Sequence, residues 1–250
     1  LEPLLHLATN STSLELRRNA TWAVSNLFRG KPPPLLAMVL PYLPAVCALA
    51  KSDDNPIVSD ALWCLAYFCD GGEERLVHML RTNVLPVVLQ RVASNSEQVH
   101  APAMRIVGSV ATGPDYLVEA LLNMGALHAL TQLLSLRPRQ NVRKELFFTL
   151  SNITAGWLPH VRLFLDSPLA PHTVAAANQE DSEVALQALW TLANATTNFE
   201  TDTKLLGVLL EQGVVDTLYT NISRQDLKAK MVCLEGFCNC VQAAGQSEKN

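Results

Sequence analysis

Two tryptophans in this chain share a helical spacing with an asparagine. Trp22 is followed four residues later by Asn26, and Trp190 is followed at the same interval by Asn194. Residues four apart lie on one face of an α-helix, so each indole would share a face with a carboxamide. A carboxamide both donates and accepts hydrogen bonds, and an indole offers its π face to a cation. The pattern indicates a binding surface.

A helical wheel places these tryptophans away from the apolar stripe of each helix. Opposite Trp22 lie Leu16, Ala20, Ala23, Val24 and Leu27. Trp63 and Trp190 likewise lie opposite the apolar residues of their helices. All three rings have polar neighbours: Glu15, Arg18, Asn19, Asn26 and Arg29 beside Trp22; Ser59, Asp60, Tyr67 and Asp70 beside Trp63; and Glu183, Gln187, Asn194 and Thr197 beside Trp190. We predict that the rings are exposed. The alternative is that they pack between units while the asparagines bond to backbone in an internal ladder.

The helix that carries this pattern recurs along the chain. The aligned segments are WAVSN (22–26), WCLAY (63–67), RIVGS (105–109), FTLSN (148–152), WTLAN (190–194) and EGFCN (235–239), and the intervals between their last residues are 41, 42, 43, 42 and 45. A helical period near 42 is typical of armadillo and HEAT repeats. In one period we predict helices over 73–82, 85–93 and 97–112, and three helices per unit favour armadillo.

The predicted fold is therefore all-α: a right-handed superhelical armadillo-repeat solenoid of about six repeats of three helices. We expect one domain, 1–250, with approximate repeats 1–30 (partial), 31–71, 72–113, 114–156, 157–198 and 199–245. Pro34, Pro56 and Pro102 are predicted in first turns, where a missing N–H costs little. The chain opens LEPLLHLATN without Met, so we expect a segment of a longer protein whose first unit exposes apolar surface.

Composition excludes several classes of function. The net charge of −4 is unlike that of a polybasic nucleic-acid binder, and no run of 18 apolar residues suggests a membrane span. We find no nucleophile–base pair, phosphate loop or metal-ligand set, so we expect no enzyme activity, no cofactor and no metal. The six histidines are interpreted as surface or capping residues. The six cysteines are interpreted as reduced core thiols, which favours a cytosolic or nuclear compartment.

The distance between neighbouring helices suggests that the ligand is an extended peptide. Neighbouring helices pack about 8–10 Å apart, and an extended peptide advances about 3.3 Å per residue, so one repeat would serve roughly three ligand residues. Adjacent indoles would form slots for lysine or arginine stems. The polar stripe itself is nearly neutral, with acids at Glu15, Asp60, Asp70, Glu145, Glu183 and Glu235 and bases at Arg18, Arg29, Arg105, Lys144 and Lys228.

Five segments give the chain a family resemblance. RNATWAVSNLFRGKPPP, SDALWCLAYFCDG, APAMRIVGSVATGPD, ALHALTQLL and VRKELFFTLSNITAG closely resemble importin-alpha, the armadillo adaptor that binds nuclear localisation signals. The resemblance covers essentially the whole chain and corresponds to the fourth through ninth repeats of the family. It implies a nuclear import adaptor that binds Lys/Arg-rich signals in extended conformation along a concave Trp/Asn groove and shuttles between cytoplasm and nucleus.

The resemblance also implies which residues bind. Trp22, Asn26 and Asn19 match the far end of the family's larger pocket, with Trp63 and Asp60 beside it. Tyr67 and Arg105 stand where the family interrupts its ladder. The smaller pocket is matched by Asp115, Glu145, Asn152, Trp190 and Asn194, and Asn239 extends it. Four residues depart from the family pattern and imply a weaker smaller pocket: Ser109 for asparagine, Phe148 for tryptophan, and Gln187 and Pro56 for acids.

The implied partners are the basic signal peptides of cargo proteins, an export receptor, and importin-beta through a basic segment absent from this sequence. No direct contact with nucleic acid or membrane is expected. A rival interpretation is an armadillo scaffold of the beta-catenin kind, which binds other extended, acidic segments through a basic groove.

Overall fold

A computed structural model of the chain describes residues 1–179, 182–197 and 204–247, and every regular element within these ranges is a helix. The all-α prediction is confirmed. The predicted repeat boundary at 198/199 lies outside the described residues. The chain forms two compact units, Leu1–Pro138 and Arg139–Asn250, divided inside the predicted repeat 114–156.

The first unit contains ten α-helices and one short 3-10 helix, η1, in its described residues. Their bounds are α1 (Glu2–Asn10), α2 (Leu14–Phe28), α3 (Leu36–Val39), η1 (Leu40–Tyr42), α4 (Leu43–Leu49), α5 (Asn55–Cys69), α6 (Glu73–Arg81), α7 (Leu85–Val92), α8 (Glu97–Ala111), α9 (Asp115–Asn123) and α10 (Ala126–Ser135). The three helices predicted over 73–112 match α6, α7 and α8.

Helices α2, α5 and α8 each carry the aligned motif, and we call them and their counterparts third helices. In this unit α2 packs on α5, and α5 packs on α8. Capping residues set two of their starts: the hydroxyl of Ser13 accepts a hydrogen bond from the Leu16 N–H, and the carboxylate of Asp54 accepts one from the Ile57 N–H. Buried apolar residues of these helices, among them Ala20, Val24, Ile57 and Val107, form the core, whereas Leu16 and Leu27 of the predicted α2 stripe are exposed.

In its described residues the second unit contains α11 (Gln140–Thr154), α12 (Leu158–Leu165), α13 (Leu169–Gln179), α14 (Ser182–Asn194), α15 (Leu205–Glu211), α16 (Val214–Asn221) and α17 (Leu227–Ser247). Its third helices α11, α14 and α17 pack in that order, with α13 against α14 and α16 against α17. At one crossing a Cβ added to Gly236 would lie 3.0 Å from Cα of Ala193, so α17 and α14 approach closely.

The expected position of Pro102 was wrong. Pro102 lies inside α8, five residues after its first residue. The prediction for Pro34 was also wrong, because Pro34 lies two residues before the first residue of α3, whereas Pro56 does lie in a first turn. A proline inside a helix removes the N–H that would bond to the carbonyl four residues earlier, here that of Gln98. The hydroxyl of Ser59 on α5 donates to this carbonyl at 3.2 Å. A neighbouring helix therefore compensates for the proline.

Several predictions of burial also need correction. Cys238 is exposed, whereas the other five cysteines are buried. His100 and His160 are buried rather than at the surface, and the ring of His100 lies 2.6 Å from the carbonyl oxygen of Ser94. Ser59, predicted on the polar face, is buried because it faces α8. In the first repeat the predicted exposure of apolar surface is confirmed by four leucines: Leu7, Leu14, Leu16 and Leu27.

Candidate functional site

The first aromatic–carboxamide pair lies on α2 and is open to solvent. The Trp22 side chain is 61% exposed, and Asn19 and Asn26 are exposed beside it. The Asn26 amide donates one N–H to the carbonyl of Trp22, 2.9 Å away, in the same helix. This bond fixes the orientation of the carboxamide and leaves its oxygen and second N–H for another partner.

On α5 an aromatic pair replaces the aromatic–carboxamide pair. The rings of Trp63 and Tyr67 stack with centroids 5.6 Å apart and planes inclined by 24°, and both side chains are half-buried. Tyr67 therefore covers part of the indole and supplies no carboxamide, and the prediction that the Trp63 ring is exposed was wrong because of this stack. Asp60, one turn before Trp63, is also half-buried. The exposed part of α5 therefore presents an aromatic ring and a carboxylate.

The polar face of α8 is occupied by an ion pair. Arg105 stands at the tryptophan position of the motif and donates to Asp70 at the end of α5, with an N···O distance of 3.1 Å. The Ser109 hydroxyl donates to the Arg105 carbonyl at 2.9 Å, so it is engaged with its own helix. The surface here has neither an indole nor a carboxamide. Asp115, the first residue of α9, is half-buried.

In the second unit α11 repeats the arrangement of α2. Phe148 is exposed, and the Asn152 amide donates to the Phe148 carbonyl at 2.8 Å within the helix. Glu145, three residues before the ring, is half-buried. A phenyl ring replaces the indole, and the carboxamide keeps the same anchor as Asn26.

Two further carboxamides in this unit reach across to the preceding third helix. Asn194 on α14 donates to the carbonyl of Ser151 on α11 at 2.8 Å, while Trp190, one turn earlier, is 38% exposed. Asn239 on α17 donates to the hydroxyl of Thr196, just beyond α14, at 3.1 Å. The asparagines thus do bond to backbone or to a hydroxyl, as the alternative interpretation held. They nevertheless remain exposed or half-buried, and so do the rings.

Most charges in and around this face have partners. Lys144 pairs with Glu183 at 2.9 Å in the second unit. In the first unit Arg18 contacts Asp54 at 2.6 Å. Hydrogen bonds from Arg18, and less strongly from the Ile57 N–H, hold the pKa of Asp54 below its usual value although partial burial opposes this.

Asp60 is in a different electrostatic environment. Its carboxylate forms no hydrogen bond or ion pair with the residues that the structure describes. Burial therefore raises the pKa of its carboxyl, since no cation compensates for the lost hydration. A ligand cation placed beside Trp63 would supply that compensation.

All the predicted site residues lie on third helices except Asp115, which lies on α9. None of the fifteen is buried. Sequence reasoning did not find the anchors of the Asn194 and Asn239 carboxamides, which are the Ser151 carbonyl and the Thr196 hydroxyl. Neither residue type is repeated at its position in every unit, so the sequence pattern gave no signal for them. Sequence reasoning also passed over Trp157, which lies outside the third helices, is 51% exposed and stacks on His160.

In the described ranges, no group of three or more His, Cys, Asp or Glu side chains could hold a metal ion. Likewise, no single described helix is long and apolar enough to cross a membrane. The bent pair α9 and α10, with an angle of 65° between them, has the length and composition of a span.

Repeats of three helices, of which the third presents recurrent aromatic and carboxamide side chains, define an armadillo-repeat fold. The family model of the armadillo/beta-catenin-like repeat matches residues 1–29. A designed armadillo repeat protein in complex with the peptide (KR)4 has a TM-score of 0.84 at 19% identity, covering 97% of this chain and 98% of that chain. This likeness concerns the fold.

Natural relatives specify the family. Importin subunit alpha-1b of Oryza sativa subsp. japonica is 32% identical over 253 residues, which cover 100% of this chain and 46% of the relative. Importin subunit alpha-1a of the same organism is 37% identical over 156 residues, covering 62% of this chain and 30% of the relative. The chain belongs to the importin-alpha family. It spans less than half the length of these curated relatives.

Proposed function

We propose that this chain binds Lys/Arg-rich segments in extended conformation, as the signal-binding part of a nuclear import adaptor. The observation that carries the proposal is the recurrence, in both units, of a solvent-exposed ring followed four residues later by an asparagine with one N–H already fixed. Trp22 with Asn26, Phe148 with Asn152, and Trp190 with Asn194 all have this arrangement.

Fixed carboxamides suit an extended main chain. Each keeps an acceptor oxygen and one N–H, the two groups that a peptide unit needs, and neither group distinguishes side chains. Because one N–H is already bonded, less side-chain entropy is lost when a ligand binds. Affinity for the main chain would therefore come from the asparagines, and selection of residue types from the groups around them.

Selection of basic residues is supported by the rings and by Asp60. An indole face attracts a lysine or arginine head by about 0.5–2 kcal/mol, and the aliphatic stem packs on the same surface. Asp60 is a half-buried carboxylate without a cation beside it in the described residues. The designed fold neighbour in complex with (KR)4 and the relatives named importin subunit alpha agree with this choice of ligand.

The proposal extends to the partners of such an adaptor. We infer shuttling between cytoplasm and nucleus, with cargo held on this chain. Contacts with importin-beta would use a segment outside this sequence, and an export receptor would recognise the adaptor separately.

The test is a titration of the chain with a fluorescent peptide of alternating lysine and arginine, followed by anisotropy. Trp22→Ala, Trp190→Ala, Asn26→Ala and Asn152→Ala are each expected to weaken binding by at least about 1 kcal/mol, roughly fivefold in Kd. Asn26 and Asn152 are the sharper variants, because their recorded hydrogen bonds stay within their own helices. Raising the salt concentration should weaken binding as well.

Two substitutions serve as matched controls. Trp157→Ala removes an exposed indole from outside the third helices, and Asn123→Ala removes an exposed asparagine from the end of α9. Both should leave Kd unchanged. An acidic peptide of equal length should not bind. If it binds and the basic peptide does not, the scaffold interpretation is correct; if all the ring variants retain full affinity, the proposed surface is wrong.

A further inference from the structure

One buried threonine lies where the two third helices that carry Phe148 and Trp190 meet. Thr191 follows Trp190 directly on α14 and is fully buried. Its hydroxyl oxygen lies 3.0 Å from the carbonyl oxygen of Gln187 in its own helix and 3.1 Å from that of Phe147 on α11. The single hydroxyl hydrogen is therefore shared between the two carbonyls. Because Phe147 directly precedes Phe148, this contact joins the backbone beside one ring to the backbone beside the other.

Two further contacts join α11 and α14 next to this one. The buried hydroxyl of Thr154 lies 3.0 Å from the carbonyl oxygen of Thr191, besides the carbonyls of its own helix, and the Asn194 amide donates to the Ser151 carbonyl at 2.8 Å. All three contacts run from a side chain of one helix to the main chain of the other. They therefore fix the separation of the two helix backbones.

The equivalent threonine on α11 stays within its own helix. Thr149 follows Phe148 as Thr191 follows Trp190, and it is also fully buried. Its hydroxyl donates to the Glu145 carbonyl at 2.8 Å, which is its only acceptor among the described residues. A threonine at this motif position thus does not have to reach a neighbouring helix, and Thr149 offers a matched comparison for Thr191.

The separation of α11 and α14 sets the width of the slot between the two rings. Phe148 and Trp190 occupy the same motif position on neighbouring helices and are 36% and 38% exposed. A lysine or arginine stem between them would contact one ring on each side, with carbon–carbon distances of about 3.5–4.0 Å at the optimum. A gap of about 0.5–1 Å forfeits roughly a quarter to a half of such a contact. Small changes in helix spacing would therefore change the affinity of this slot.

We propose that Thr191 is a positioning residue that sets the spacing of the Phe148 and Trp190 rings for the stem of a basic ligand residue. This role rests on the function proposed above, the binding of Lys/Arg-rich segments. The hydroxyl oxygen approaches the Phe147 carbonyl oxygen to 3.1 Å because a hydrogen lies between them. A methyl carbon in the same place needs about 3.3–3.6 Å. Valine at this position keeps the shape of the side chain and yet moves α14 away from α11.

The spacing can be measured without a ligand. In a background where the other three tryptophans are phenylalanine, acrylamide quenching of fluorescence reports how accessible the Trp190 ring is. Thr191→Val should raise the quenching constant, whereas Thr191→Ser, which keeps the hydroxyl, and Thr149→Val should not. Circular dichroism and Tm establish that the variants remain folded. An unchanged quenching constant in Thr191→Val overturns the positioning role, whether or not the chain binds basic peptides.

Titration with the peptide of alternating lysine and arginine tests the consequence for binding. Thr191→Val should raise Kd by roughly threefold or more, since both ring contacts of the stem loosen. Thr191→Ser should retain the native Kd, and so should Thr149→Val. After Phe148→Ala the effect of Thr191→Val should disappear, because no second ring is left to position. An equal effect in both backgrounds would mean that Thr191 has only a general structural role.

Failure of this positioning role can be told apart from failure of the binding function. If Trp190→Ala leaves Kd unchanged, the second unit does not hold a basic stem between its rings, and both proposals are wrong there. If Trp190→Ala weakens binding while Thr191→Val has the native Kd, the binding function stands and the role of Thr191 is refuted.

Discussion

The guanidinium of Arg18 donates to both carboxylate oxygens of Asp54, with the shortest N···O distance at 2.6 Å. The same carboxylate accepts the Ile57 N–H at 3.2 Å and so caps α5. One side chain therefore joins α2 to the start of the next third helix. The ion pair needs the charged carboxylate, and the capping bond is stronger to the charged form than to the neutral one, so the pKa of Asp54 lies below its unfolded value of 3.8.

We expect Asp54 to contribute to stability above about pH 3.8 and to lose that contribution as pH falls through its lower folded pKa. Asp54→Asn keeps a good capping residue and removes the charge, whereas Asp54→Ala also removes the cap and should cost a further 0.5–2 kcal/mol, roughly, at pH 7. Urea unfolding between pH 2 and pH 7 measures both. Asp53→Asn, at an exposed neighbour, is the control. If Asp54→Asn has the same acid dependence as the native chain, the pair does not contribute.

Asp60 should behave in the opposite way. Its folded pKa is raised, so its contribution to stability is full below the unfolded value of 3.8 and is lost as pH rises through the folded pKa. Asp60→Asn is therefore expected to raise the free energy of unfolding at pH 7 and yet to weaken binding of the basic peptide. Glu119→Gln, which removes an exposed charge from α9, should change neither property. A variant that is destabilised would show that the carboxylate is satisfied in the fold.

The repeat length of this fold could be predicted because it depends only on the spacing of residues close together in the sequence. Each third helix needs its own apolar stripe and its own turn signals, so the recurrence from Asn26 to Asn239 is visible without tertiary information. Exposure of Trp22 and Trp190 followed from the same stripes, since each ring lies on the side opposite the apolar residues. These predictions are confirmed by the helix bounds and by burial.

Contacts between repeats could not be predicted, because they depend on how neighbouring helices meet. Asn152 and Asn194 occupy the same motif position, yet one amide bonds to its own helix and the other to Ser151 of the preceding third helix. The stack of Tyr67 on Trp63 and the exposure of Cys238 also depend on neighbours. Sequence periodicity gives the face of a residue but not the partner of its polar atoms.

The bond from Ser59 to the Gln98 carbonyl predicts coupling with Pro102. In the native chain Ser59→Ala should cost about 0.5–1.5 kcal/mol, since it removes the donor that replaces the missing proline N–H. After Pro102→Ala the helix supplies its own donor, so the cost should be smaller. A double-mutant cycle by urea unfolding measures the difference. Ser25→Ala, whose hydroxyl bonds within α2, should show no coupling to Pro102. Additive effects of Ser59→Ala and Pro102→Ala would mean that the bond is unimportant.

The close crossing of α14 and α17 predicts opposite effects for two glycines in helices of the second unit. A Cβ at Gly236 would lie 3.0 Å from Cα and Cβ of Ala193, whereas one at Gly207 in α15 would meet no atom within 4 Å. Alanine is favoured over glycine in a helix by about 1 kcal/mol, so Gly207→Ala should stabilise the chain by up to that amount.

Gly236→Ala gains the same propensity, but separating the two helices should cost about 1–3 kcal/mol, as overpacking does. Its net effect should therefore be destabilising, with a lower Tm than the native chain. Thermal unfolding of both variants provides the comparison, and Gly207→Ala is the control for propensity. Equal stabilisation by the two substitutions would show that α17 can move away from Ala193 at no cost, and the tight crossing would then not determine how these helices pack.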